Sequence, residues 1–445
     1  MVKRRAYKLV LALLGILVIA TGAALLRSDQ AAAQIGWTFP ADGSEIGATG
    51  RVGIAFNQPM QQDQVDQRIK ITPEAPGHAT WTGNTLWYVF DAALKPGITY
   101  HFTLEAGALA QDGRAIPQDR TVSYKVRSPE IIFLSSQAGQ NELWTEQAGG
   151  GSLRKLTSTG GKVYDYAPSP DGEQIVYSVT NAQGGSDLWL MQRDGSQNML
   201  LVDCGLDHCS QPAWKPDGTE IAYYRAVTAP NQMTISGIWG VDVVSGQTDF
   251  MIYGEQPAWS PDGSWIAVID PGAGNIHILN VEDGKGIEVS ASSDSPPVWI
   301  PNSTILAYVD LQSAQAQSTT ALLQVDAAIG QVMPLLANLP EDQELSLPAY
   351  SPDGSAYIIA MRSFISDLSK QLYYMPPGGK DLQQITKEPS YSNAHFSWNL
   401  WGTEAVFQRV QLGSSSAAPQ VVTWDRDTGS LQVVALDAAL PAWLP

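Results

Sequence analysis

Two cysteines, five histidines and a row of Asp-Gly pairs are the residues of this chain whose types could do chemistry. Cys204 and Cys209 lie five apart in VDCGLDHCSQP, with His208 between them. At that spacing they close a small disulfide ring in an oxidising compartment or stand as free thiols; with His208 they make an incomplete set of metal ligands. A ring this short gains little from closure, so its effect is to stiffen one loop. Asp171-Gly172, Asp217-Gly218, Asp262-Gly263 and Asp353-Gly354 place carboxylates at regular intervals and invite a calcium reading. Asp-Gly is also a preferred tight hairpin turn, and a pair that returns once per repeat reads as architecture. His78, His101, His208, His277 and His395 show no recognisable spacing, and the chain contains no G-x-S-x-G, H-E-x-x-H or G-x-x-x-x-G-K. No catalytic residue, cofactor site or metal site is assigned, and the chain reads as a binding protein rather than an enzyme.

The elements that must position these residues are announced by a repeat. The phrase is APSPDG at Ala167, AWKPDG at Ala213, AWSPDG at Ala258, VWIPNS at Val298, AYSPDG at Ala349 and FSWNLWG at Phe396, at spacings of 46, 45, 40, 51 and 47. Each copy leads into a short apolar run such as QIVYSV at Gln174 or WIAVID at Trp265, then a second run, then a tight turn such as RDGS at Arg193 or DTGS at Asp427. That period belongs to four-stranded blades of a β-propeller. EIIFLSS at Glu130, ELWTEQ at Glu142 and LRKLTS at Leu153 supply three strands of a blade with no phrase before them. Leu440–Pro445 repeats the opening of QPAWSP and is the expected missing strand, closing a ring of seven blades; six is the alternative.

The connections between second and third strands are longer: VTNAQGGSD at Val179, AVTAPNQMTISG at Ala226, LQSAQAQSTT at Leu311, SFISDLSK at Ser363 and VQLGSSSAAPQ at Val410. In a propeller they share one face with the connections between blades, where Cys204 and Cys209 also fall. That rim is the expected binding face.

Upstream the material changes. Residues 1–8 are basic, and 9–26 form an uninterrupted apolar run, LVLALLGILVIATGAALL. Eighteen residues reach roughly 27 Å, enough to span a bilayer. The expectation is a single-pass signal anchor with a cytoplasmic amino terminus and the bulk of the chain outside; cleavage near Ala33 and secretion is the alternative. Residues 27–36 read as a linker, and 37–127 as a sandwich: VGIAF and ITYHFTL alternate strictly, giving one buried and one wet face per strand. Forty-four Asp and Glu against 26 Lys and Arg, a formal charge of −18, argue against nucleic acid as a partner.

Pro40-Ala41-Asp42-Gly43, Phe56-Asn57-Gln58-Pro59-Met60, Leu94-Lys95-Pro96-Gly97-Ile98-Thr99-Tyr100 and the Asp112-Gly113 turn resemble the bacterial Ig-like domain named after the SbsA surface-layer protein. The repeat over 129–445 resembles TolB-like and WD-repeat-like propellers, with Trp214, Trp259, Trp299, Tyr350 and Trp443 in its aromatic place and Pro168 and the FSWNLWG copy at Phe396 departing from it. The expected fold is all-β, an Ig-like sandwich plus propeller behind one transmembrane helix. The expected function is a membrane-tethered binding or scaffold protein with an envelope or extracellular protein partner. A carbohydrate-binding or envelope-degrading propeller enzyme and a structural surface component are the alternatives.

Overall fold

The computed structural model describes residues 32–136, 141–228, 236–291, 295–314, 317–336, 343–363, 367–413 and 417–445. The chain divides into two compact units, Met1–Val126 and Arg127–Pro445.

The first unit is a sandwich of two four-stranded sheets. One runs Ile35–Phe39, Arg51–Phe56, Thr85–Phe90, Gly77–Thr82; the other runs Glu45–Ile46, Arg120–Val126, Thr99–Leu104, Ile69–Thr72. Thr99–Leu104 alternates between exposed and buried positions over most of its length, as its sequence predicts. Arg51–Phe56 does not, because every residue after Arg51 is buried. The cause is Trp87, whose ring lies so close over Gly53 that a Cβ there would come within 2.7 Å of it. The Arg51 guanidinium caps the same ring at 4.4 Å, so the face expected to be wet is roofed by aromatic carbon.

The expected single-pass anchor is not supported. Among the described residues no helix is long and apolar enough to cross a membrane. The helix they contain, Gln62–Asp66, has five residues, whereas a span needs about 20. The apolar run at 9–26 lies outside the described residues, and the membrane localisation built on it is withdrawn.

In the second unit the described strands form sheets of one recurrent antiparallel pattern, and a parallel bridge between Ser186 and His208 joins the two called II and III below. Sheet I contains Ala438–Leu444, Glu130–Ser135, Glu142–Gln147 and Arg154–Lys155. Sheet II contains Val163–Pro168, Gln174–Thr180, Ser186–Gln192 and Met199–Val202; sheet III contains His208–Trp214, Glu220–Ala226, Gly237–Asp242 and Thr248–Ile252. Sheets IV and V begin at Glu255–Trp259 and Val298–Trp299. Sheet VI pairs both Gln343–Leu345 and Ala349–Tyr350 with Tyr357–Ser363, and sheet VII begins at Tyr391–Trp398. In sheet I, Ala438–Leu444 pairs antiparallel with Glu130–Ser135, with Ala442 opposite Ile132 and Leu444 opposite Glu130.

The repeated aromatic residue has a specific task. Its indole N–H donates to a backbone carbonyl on the first strand of the preceding sheet: Trp214 to Ala167 at 3.0 Å, Trp259 to Ala213 at 3.2 Å, Trp299 to Ala258 at 3.0 Å, Trp398 to Ala349 at 3.0 Å and Trp443 to Ser397 at 3.2 Å. These bonds staple neighbouring first strands in five of the seven sheets, and Trp398 of the FSWNLWG copy takes the aromatic place that copy was expected to lack. Tyr350 holds the aromatic place in sheet VI, and its buried hydroxyl has no partner. The Asp-Gly turns are also explained. Gly172, Gly218, Gly263 and Gly354 take positive φ of 68 to 73°, while the aspartates keep ordinary backbone and turn their carboxylates inward. Asp262 accepts from Ser260 Oγ at 2.5 Å and Ser264 Oγ at 2.6 Å, and Asp353 from Ser351 Oγ at 2.6 Å. Those bonds lock the turns.

Candidate binding face

Because strands alternate in direction, each sheet's second-to-third connection lies on the same side as the connection to the next sheet. Of the long connections expected to form this rim, the one after Thr180 is fully described. Those at 226–237, 311–319, 363–370 and 410–420 lie partly outside the described residues.

Buried acids fix the rim where sheets I, II and III meet. Glu142 starts the third strand of sheet I and is 1% exposed. It accepts from Thr157 Oγ1 at 2.6 Å, Thr159 N at 2.7 Å, Thr159 Oγ1 at 3.1 Å, Gly160 N at 3.0 Å and Gly161 N at 3.3 Å. Burial pushes its carboxyl up, but the bonds from Thr157, Gly161, Thr159 and Gly160 outweigh it and hold the group below its ordinary value. One side chain thereby shapes the whole connection from sheet I to sheet II.

Asp187 occupies the same position in sheet II. Its Oδ1 accepts from Asn181 Nδ2 and from Cys204 N, both at 2.9 Å. Cys204 and Cys209 are joined as a disulfide with Cα atoms 6.3 Å apart, and both are buried. The ring is a hub for its neighbours. Gly205 O accepts from Asn181 Nδ2 at 2.7 Å, and Cys209 O from Tyr164 OH and Ser186 Oγ, each at 3.0 Å. Inside it Asp207 takes Arg225 at 3.0 and 2.8 Å and Thr228 N at 3.1 Å. Gly185 is required here, since a Cβ would meet Gly205 O at 2.3 Å. The disulfide thus closes the link from sheet II to sheet III, and hydrogen bonds from Asn181 and Thr228 fasten the second-to-third connections of both sheets to that ring.

Between these clamps opens a groove of about 710 Å³, lined by Leu156–Thr159, Lys162, Tyr177, Val179–Gln183, Asp187, Trp189 and Asn198. Burial pushes the Tyr177 hydroxyl up to about 12, and it donates to Asn198 Oδ1 at 2.7 Å. A smaller groove of about 270 Å³ lies between sheets VI and VII, lined in part by Gln371, Thr386, Tyr391 and Arg409. The two are related: Thr157 Oγ1 accepts Leu143 N at 2.9 Å, and Thr386 Oγ1 accepts Leu372 N at 2.8 Å.

The histidines are not brought together. His78 pairs with Asp91 at 2.8 Å and His101 with Ser123 at 2.8 Å in the first unit. His208 is exposed beside Cys209, while His277 lies between Asp270 at 3.4 Å and Glu288 at 3.1 Å. Among the described residues no three His, Cys, Asp or Glu side chains are placed to hold a metal ion. Glu142, Asp187 and Asp207 escape a reading by motif; the first two share one signal, an acid followed by Leu-Trp at the head of a third strand, in Glu142-Leu143-Trp144 and Asp187-Leu188-Trp189.

Comparison with known proteins separates the two units. Residues 29–126 match the bacterial Ig-like domain. An uncharacterised protein of Agrobacterium fabrum is 33% identical over 104 residues, 21% of this chain, and the chain spans 36% of that relative's length. A puromycin-hydrolysing peptidase of Mycobacterium tuberculosis is similar in structure at 15% identity and a TM-score of 0.50, covering 86% of this chain and 56% of that one. TolB from Acinetobacter baumannii is similar at 14% identity, covering 71% and 79%, with a TM-score of 0.41. The β-propeller domain of the Trilobed protease from Pyrococcus furiosus is similar at 15% identity, covering 62% and 84%, with a TM-score of 0.47. At these identities the likeness concerns fold alone: an all-β chain with an Ig-like domain and a propeller-like unit.

Proposed function

We propose that this protein is a recognition module without catalytic turnover, whose second unit is a seven-bladed propeller that binds another protein through its long-connection rim. Sheets I to VII are its blades, closed by the pairing of Ala438–Leu444 with Glu130–Ser135. The observation that supports recognition is the unequal finish of the two faces. One carries short turns locked by their own serine and aspartate side chains. The other carries the long connections, of which those around sheets I to III are held by buried acids and a disulfide beside an open groove. Rigid presentation of irregular loops lowers the ordering cost of association.

The test is crosslinking of the tagged full chain in its source cells, with mass spectrometry of the crosslinked residues. A reproducible protein partner joined to residues 157–162, 180–187 or 203–209 is the expected result. Crosslinks confined to the short-turn face, or captured glycan in place of protein, refute the reading. Deleting Leu440–Pro445 tests the closure: it is expected to lower the melting temperature of the whole second unit, and an unchanged transition refutes it.

A further inference from the structure

Resting on that reading, we propose that the groove between sheets I and II is a socket for one lysine or arginine side chain of the partner, with Asp187 as its counter-ion. The two acids at the heads of the third strands differ in one respect. Glu142 has both oxygens engaged by the chain's own donors. Asp187 uses Oδ1 alone, for Asn181 and Cys204, and among the described residues nothing donates to its Oδ2. The side chain is 9% exposed and lines the groove. That oxygen opens into the groove with no donor from the chain itself, so an incoming cation can take it in a charge-assisted hydrogen bond in place of water.

The rest of the groove suits such a guest. Trp189 and Tyr177 supply ring carbon for an aliphatic stem, while Asn198, whose Nδ2 spends one of its two hydrogens on Gly195 O, keeps the other for a peptide backbone. Its volume is in the range of sites that enclose a side chain with its adjoining main chain. Lys162, exposed on the rim, disfavours a run of basic residues and leaves room for a single one. The formal charge of −18 draws basic segments toward the surface. A lone carboxylate is too few ligands for a divalent cation, and a neutral glycan brings no charge to offset it.

The experiment uses the full chain and four pools of acetylated, amidated heptapeptides of random sequence, with lysine, arginine, norleucine or glutamine fixed at the centre. Binding is read by fluorescence anisotropy and located by hydrogen exchange of 156–162 and 180–189. Lysine and arginine pools are expected to bind about tenfold tighter than the norleucine pool, the scale of one charge-assisted hydrogen bond. Asp187→Asn keeps an Oδ1 acceptor for Asn181 and Cys204 and is expected to erase that difference. Equal binding by lysine and norleucine pools in the unaltered chain overturns the socket with no variant needed. So does a lysine preference that survives Asp187→Asn, or protection of the groove by chitohexaose but by no peptide. A protein partner crosslinked to the rim outside this groove also overturns the socket while the wider recognition reading stands.

Discussion

Replacing Glu142 tests whether a single buried acid shapes the rim. Glu142→Ala strips the acceptor from three backbone N–H groups, of Thr159, Gly160 and Gly161, and from the hydroxyls of Thr157 and Thr159. The site is 1% exposed, so water replaces those bonds only if the connection opens. Each buried donor left unpaired costs about 1–3 kcal/mol. Partial relaxation reduces the sum to about 3–5 kcal/mol, the range for removing one partner from a buried charged network. In a unit of this size that is a fall of roughly 5–10 °C in melting temperature by calorimetry. Glu142→Gln retains one acceptor oxygen and is expected to lose about half as much. The pH dependence has a definite sign. The folded carboxyl lies below its ordinary value of 4.5, so its stabilisation is present above that value and fades as pH falls through the folded one. The glutamine variant is therefore expected to match the unaltered chain in acid and trail it at neutral pH. Hydrogen exchange is expected to quicken first at 157–162. A Glu142→Ala protein melting within about 1 °C of the unaltered chain, with unchanged exchange there, refutes the clamp.

Other perturbations follow from the same geometry. Asp165 is pushed up to about 6 by burial, against bonds from the N–H groups of Gln211 and Tyr166. A carboxyl raised in the folded state costs stability once pH climbs through that value, so Asp165→Asn is expected to stabilise by up to about 3 kcal/mol at pH 8 in chemical denaturation, the gain vanishing near pH 4. Removing the partnerless hydroxyl with Tyr350→Phe is expected to leave stability unchanged or raise it by about 1 kcal/mol, whereas Trp259→Phe, which deletes a staple, is expected to lose about 1 kcal/mol. Joint replacement of Cys204 and Cys209 by serine is expected to quicken exchange at 181–186 and 203–209 far more than it lowers the global melting temperature, because the closed loop is short.

The propeller-like unit was legible because its phrase repeats: Pro-Asp-Gly, an aromatic residue before it, or both mark most of the turns at one period. Why the aromatic is tryptophan was not legible, since the acceptor of each indole is a carbonyl some 41 to 49 residues earlier and leaves no trace in the local pattern. The wet face expected for VGIAF failed for a related reason, as Trp87 arrives from another strand to cover it. The long connections and the two cysteines among them were legible. The acids that fasten them were not: Glu142 and Asp187 sit on regular strands, where an acid looks like ordinary surface until partners from distant loops are seen to surround it.

Sheet I joins segments that are far apart in the chain, Glu130–Ser135 with Ala438–Leu444, whereas the described ladders within the other sheets of that unit connect strands close in sequence. On a ribosome the hairpins of sheets II to VII can form as they emerge, but Glu130–Ser135 waits with one edge bare. Its residues Ile131 and Phe133, fully buried once paired, are exposed during that interval, making this strand the point at which an incompletely synthesised chain meets chaperones or its own copies. Synthesis through residue 444 is thus the commitment step, and interruptions late in translation are expected to be more damaging than their length suggests.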